Sequence, residues 1–208
     1  MNKRIPLIAL TLILLGTEPL CAQGLKGREL LGVRIGGTIA SSALHDEFGN
    51  GTELELHFIK GITPWLGADV ALSSHSFGES KDPAKNIEFT GLNREVKLHL
   101  YSLAVGIVAL KTIRQHITPT IEAGPGVYSV NTILPEGFYE AQKTDNRLGL
   151  YGGIGLLIKI TKSVSLNVNA KYHHVFVGNK PEDTVRFYTG EQTARFYQVA
   201  VGVAIYTG

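Results

Sequence analysis

The residues best suited to chemistry in this chain are histidines, together with the hydroxyls and carboxylates that would have to serve them. Tyr172-His173-His174 offers two imidazoles in a row, and His75 stands among Ser73, Ser74 and Ser76. A His-activated nucleophile needs a hydroxyl within hydrogen-bond reach of one ring nitrogen and a carboxylate to orient the other. The serines lie on a different stretch of chain from His173 and His174, and Glu182 or Asp183, which would orient a His, follow on a third. Spacing does not unite the three, and no catalytic residue is assigned. Adjacent residues of a strand point to opposite faces, so His173 and His174 cannot hold one metal ion, and the other His residues are scattered. No metal site is expected. Gly124-Pro125-Gly126 and Gly152-Gly153-Ile154-Gly155 look like phosphate-cradling loops, but neither opens a helix whose N-terminus would bind the phosphate. No cofactor is implied.

The segments that carry these residues have a period of two. Val164, Leu166, Val168, Ala170 and Tyr172 alternate with Ser165, Asn167, Asn169 and Lys171, which marks a strand with one apolar and one polar face. Leu54, Leu56 and Phe58 stand in the same way against Glu53, Glu55 and His57, and Leu66, Ala68, Val70 and Leu72 against Gly67, Asp69 and Ser73. Near the end, Tyr197, Val199, Val201, Val203 and Ile205 alternate with Gln198, Ala200, Gly202 and Ala204. No segment repeats at helical spacing. Eight strands are predicted over 31–40, 52–60, 65–76, 95–110, 117–134, 147–160, 164–177 and 195–207. In the fourth, Leu98 and Leu100 keep one phase and Leu103, Val105 and Ile107 the other, which predicts a bulge near Ser102. Pro125 would remove a ladder hydrogen bond, and a second bulge is expected there.

Composition excludes several classes of protein. Lys and Arg total 20 against 18 Asp and Glu, a net charge of +2, so no basic excess points to nucleic acid. Charged residues make up 18% of the chain, below the ~25% of soluble domains. Residues 1–22 read as an export signal: Lys3 and Arg4, the apolar stretch Ile5–Leu15, and Leu20-Cys21-Ala22 before Gln23, with cleavage expected after Ala22. Lipidation of Cys21 would need a small residue before it, and Leu20 is not small. The expected mature domain is 23–208. Beyond the signal no apolar run is long enough for a membrane-spanning helix, which needs ~20 residues.

The links between the strands alternate long and short from first to last. A sandwich has no reason to gather every long link at one end, whereas a transmembrane barrel has short periplasmic turns and long extracellular loops. Lys60–Pro64 and Thr161–Ser163 are expected as periplasmic turns, with the segments around Phe77–Arg94 and Gly178–Ala194 outside, including the polar stretches Lys81–Asn86 and Asn179–Asp183. A sheet can lie in hydrocarbon only without an edge, because every backbone N–H and C=O must be paired. The fold class is therefore all-β, an eight-stranded antiparallel up-and-down transmembrane barrel. Facing the lumen are Arg34, Lys97, Lys171 and His99 with Glu53, Glu55, Asp69 and Glu122, a set that should pair into a plug. Tyr101 and Tyr151 are expected inside, where glycines make room for them. Trp65 on one side, and Tyr172, Phe176, Phe187, Tyr188 and Tyr197 on the other, would form the aromatic girdles.

With its export signal, Gly32-Val33-Arg34-Ile35-Gly36-Gly37, the stretch Ile117–Tyr128 (ITPTIEAGPGVY), Tyr151-Gly152-Gly153-Ile154-Gly155 and Val164–Val175 (VSLNVNAKYHHV), the whole mature chain resembles the small porin-like outer-membrane β-barrels of Gram-negative bacteria. Such barrels usually end in an aromatic residue, whereas Tyr206 here is followed by Thr207 and Gly208. The resemblance implies an outer-membrane location, insertion by the barrel assembly machinery, contact with outer-membrane lipids and lipopolysaccharide, and a monomer that meets surface ligands through its loops. A non-enzymatic structural or surface role is expected, with a narrow solute or ion channel as the alternative. An eight-stranded lipid A deacylase keeps its catalytic His near the outer end of a strand, where His173 and His174 lie. That enzyme has its Ser two residues after the His, and here Val175 or Phe176 stands instead. A periplasmic lipocalin-like protein would turn its apolar faces inward.

Overall fold

The computed structural model describes residues 26–41, 43–79, 97–113, 116–133, 144–176 and 193–207. Runs rich in Val, Ile, Leu and Thr at alternate positions form eight strands, because such side chains fit a pleated surface with two different environments. They are β1 (Glu29–Ser41), β2 (Gly51–Gly61), β3 (Leu66–Glu79), β4 (Lys97–Leu110), β5 (Ile117–Ile133), β6 (Thr144–Lys159), β7 (Val164–Phe176) and β8 (Thr193–Thr207). Each pairs antiparallel with the next and β8 returns to β1, closing the barrel. Along that seam Leu30 opposes Tyr206 at one end and Ser41 opposes Arg195 at the other.

Three short turns lie at one end of the barrel. In each, the residue that starts the turn donates its N–H four residues ahead: Ile62 to the Leu66 carbonyl at 2.9 Å, Ile113 to Ile117 at 3.0 Å and Ile160 to Val164 at 2.9 Å. Thr63 and Thr161 brace two of them, their hydroxyls accepting from the Leu66 N–H at 3.0 Å and the Val164 N–H at 3.1 Å. At the other end the long links fall largely outside the described residues, as do Lys81–Asn86, Asn179–Asp183, Phe187 and Tyr188. Phe77 and Ala194, expected at loop boundaries, belong to β3 and β8. The link after β1 contains a helix that periodicity does not reveal, α1 (Ala43–Phe48), because six residues are too few for a helical repeat. Gly49 ends it with φ +71°, its N–H donating to the His45 carbonyl at 3.1 Å.

The apolar faces look outward. Leu56, Leu72, Ile107, Ile154, Val168 and Val201 all stand exposed on the barrel wall, an apolar surface far larger than the patches of soluble monomers. Leu166 is partly exposed on the same face, which overturns the lipocalin alternative.

Two irregularities expected from the sequence are absent. β4 stays in register through Ser102, which opposes Ser73 on one side and Tyr128 on the other. The change of apolar phase arises because Leu98 and Leu100 are 1% exposed and point inward, where they meet α1. Their outward neighbours are His99 and Tyr101, both expected inside; Tyr101 is 48% exposed. The register shift lies instead in β3, between Ser76 and Glu79. Pro125 opposes Leu150 without a bulge. The β4–β5 pairing skips Val105 and Gly106, opposite Gly124 and Pro125, and resumes unchanged, so the missing N–H interrupts the ladder without shifting it. The orientation of the wall makes a prediction: Val201→Arg should lower the stability of the barrel folded in phospholipid vesicles by about 2–4 kcal/mol, measured by urea titration.

Candidate functional site

The candidate site is the lumen, because it gathers the titratable side chains of six strands, β1, β2, β3, β5, β6 and β7, into one column. Its two ends are apolar. At the short-turn end Leu30, Ile59, Val108, Leu110, Leu157 and Ala204 pack together, with Tyr206 against them. At the other end Leu44 and Phe48 of α1 fit among Phe77, Leu98, Leu100, Val175 and Phe196.

Between these clusters lies an ionic centre. Glu55 on β2 receives the Arg34 guanidinium from β1 and the Lys171 ammonium from β7, the latter at 2.9 and 3.1 Å. Ser73 and the Gln198 amide each add a hydrogen bond of 3.2 Å to the same carboxylate. Glu122 on β5 lies 3.5 Å from both cations and accepts from the Asn169 amide at 2.8 Å. The Tyr151 hydroxyl donates to Asp69 at 3.1 Å, and the Lys171 ammonium sits 5.2 Å from the centre of the Tyr151 ring. Glycine provides the space expected for Tyr151: a Cβ at Gly106 would collide with its hydroxyl.

On the side towards α1 the network continues as a polarised chain. The Gln198 amide nitrogen donates to Glu55, so its oxygen accepts, and His173 Nε2 supplies that hydrogen at 2.8 Å. The Tyr128 hydroxyl then donates to His173 Nδ1 at 2.9 Å. His173 also stacks on Phe196 with centroids 4.6 Å apart, and His75 meets the edges of both rings. Thr38 reaches His75 Nδ1 at 3.4 Å. Towards the short turns, Asn167 donates to His57 Nε2 at 3.2 Å. Glu53 is buried, and neither of its carboxylate oxygens has a hydrogen-bond partner among the described residues.

Of the charges expected inside, Arg34, Lys171, Glu53, Glu55, Asp69 and Glu122 are buried in the lumen. His99 faces outward, because it shares the phase of Tyr101 and Leu103, and the Lys97 side chain lies outside the described residues. His173 points in and His174 out, where His174 packs against Tyr172 and Phe176. Ser73 is committed to Glu55, while Ser74 and Ser76 alternate to the outward face; Glu182 and Asp183 lie outside the described residues. The structure therefore gives His173 a phenol and an amide as partners, with no serine bonded to it among the described residues. Sequence reading missed the Tyr128–His173–Gln198 chain. Its signal was present in the inward phase of all three residues, but nothing in sequence sets their heights along the barrel.

The sequence matches no family model and no curated protein. Solved structures do match. Neisserial surface protein A aligns with TM-score 0.60 and 13% identity over 86% of this chain and 97% of that one. Ail, the attachment invasion locus protein of Yersinia pestis, aligns with TM-score 0.54 and 11% identity over 88% and 99%. The outer membrane protein OprG from Pseudomonas aeruginosa gives TM-score 0.54 and 11% identity over 88% and 96%. The chain thus has the fold of the small eight-stranded outer-membrane β-barrels.

Removing one partner from a buried ionic cluster leaves the others uncompensated, whereas surface pairs contribute little. Glu55→Gln should therefore cost about 3–5 kcal/mol of folding free energy. Lys60→Gln, which breaks the exposed 3.1 Å pair with Glu29, should cost no more than about 1 kcal/mol. Urea midpoints in one detergent, compared side by side, check both.

Proposed function

We propose that this chain is an integral outer-membrane protein with no chemistry of its own, serving as a structural or surface-interaction barrel through the loops at its long-link end. In this reading residues 1–22 direct export and are removed after Ala22, the assembly machinery inserts 23–208, and the short turns face the periplasm. The outward apolar wall supports the membrane location, because only lipid tails make such a surface favourable around an entire closed sheet.

One observation carries the preference for a filled barrel over a channel. Glu55 and Asp69 in the centre of the lumen are 0% exposed. A continuous water path would leave such groups in contact with water. The ions of the lumen face one another instead, and apolar residues close over them from both ends. A surface-interaction role is further supported by a fold neighbour, since Ail of Yersinia pestis has been crystallised in complex with the heparin analogue sucrose octasulfate.

Three measurements test this reading. The folded protein should migrate faster than the boiled protein on a gel and should fractionate with the outer membrane; a soluble periplasmic protein of unchanged mobility would defeat it. In planar bilayers the purified barrel should give no conductance steps, and steady unitary currents would establish the channel instead. Expression should leave lipopolysaccharide acylation unchanged, and a loss of acyl chains abolished by His173→Ala or His174→Ala would make the protein an enzyme.

A further inference from the structure

The short-turn rim has a charge pattern that the lumen does not explain. Lys26, Lys60, Lys159 and Lys162 gather there, against Glu29 as the sole carboxylate of that rim among the described residues. Lys26, Lys60 and Lys162 are exposed. Glu29 contacts Lys60 at 3.1 Å. The lumen, by contrast, holds more carboxylates than cations.

The second observation is apolar. Ile62, Ile113 and Ile160 occupy the same position in the three turns, each donating its N–H four residues ahead, and all three are more than half exposed. Each continues the outward phase of the strand before it, so an apolar side chain stands at each turn tip, directly after the wall in β6 and one outward position beyond Lys60 in β2 and Lys111 after β4. Trp65 stands beside them, 58% exposed. A lysine collar meeting an isoleucine and tryptophan edge matches the boundary of an anionic leaflet: the apolar groups fit the acyl side of the interface and the ammonium groups the phosphate level. A purely polar anionic polymer would have no use for three equivalent exposed isoleucines.

We infer that this rim is a docking surface for anionic glycerophospholipid headgroups, which it gathers around the short turns. The inference rests on the membrane reading above, and it names the lipid class on one side of the barrel. It adds to that reading that the inner leaflet around the protein differs in composition from the bulk.

Trp65 is the only Trp in the chain and reports from the rim itself. The full-length mature barrel would be folded into phosphatidylcholine vesicles containing equal mole fractions of phosphatidylglycerol, with either lipid brominated as a quencher. Brominated phosphatidylglycerol should quench Trp65 with an apparent affinity roughly fivefold above that of brominated phosphatidylcholine, the order expected of one lysine near an anionic surface. The preference should fall to unity in 0.5 M salt (on the order of a 4 Å screening length) and in the triple variant Lys26→Gln, Lys60→Gln, Lys162→Gln. Heat-modifiable migration confirms that the variant is folded. Equal quenching by the two lipids in the unmodified protein overturns the inference while leaving the membrane reading intact. Equal quenching combined with salt-sensitive sedimentation on isolated cell-wall sacculi overturns it in favour of an anionic wall polymer. No quenching by either lipid overturns it together with the membrane reading, which separates the two failures.

Discussion

The structure depends on the need to pair every backbone N–H and C=O where no water can do so. An open sheet leaves two rows of such groups unpaired, each costing several kcal/mol in hydrocarbon. Pairing β8 with β1 removes both rows at once. Closure then fixes what each face of every strand can be. With side chains alternating, one set must look into the wall's surroundings and the other into a lumen too narrow, at eight strands, for more than side chains. The polar set has no other place to go.

Confinement turns that polar set into a network. Charges brought out of water are stable only when opposite charges and hydrogen bonds replace the lost hydration. Glu55 illustrates the requirement, since it collects two cations and two neutral donors from four other strands. The same cluster therefore ties the non-adjacent strands β7 and β8 to β2 through Lys171 and Gln198, while Arg34 and Ser73 meet Glu55 from the neighbouring strands β1 and β3. Such ties make the barrel resist flattening as well as unzipping. The apolar layers at either end complete the arrangement by keeping water from the ions.

The closed centre and the two rims divide the work. The centre has most of its charged groups committed to each other around Glu55, with Glu53 buried beside them. The rims are where side chains remain exposed, aromatic and apolar around Tyr172 and Tyr197 at one level and basic with isoleucine tips at the other. The closed wall between the two rims sets their distance and orientation.

Much of this was legible in the sequence. Alternation in Val164–Tyr172 and Tyr197–Ile205 fixed which side chains share a face, and alternating link lengths fixed where the turns gather. Within the lumen, Arg34, Glu55, Glu122 and Lys171 followed from phase alone. Phase failed where the environment changes along a strand. Leu98 and Leu100 look like the outward set of β4, yet they point inward, because α1 makes the lumen apolar at that height and leaves His99 and Tyr101 outside. Pro125 misled for a related reason: the ladder could omit two pairs without losing register, since the neighbouring strands held it. The sequence by itself determined the period, the strand number and the face of most residues outside β4, because those depend on local alternation. Only the tertiary structure decided which residues share a level, and so which carboxylate meets which cation, because stagger between strands is set by closure of the whole ring.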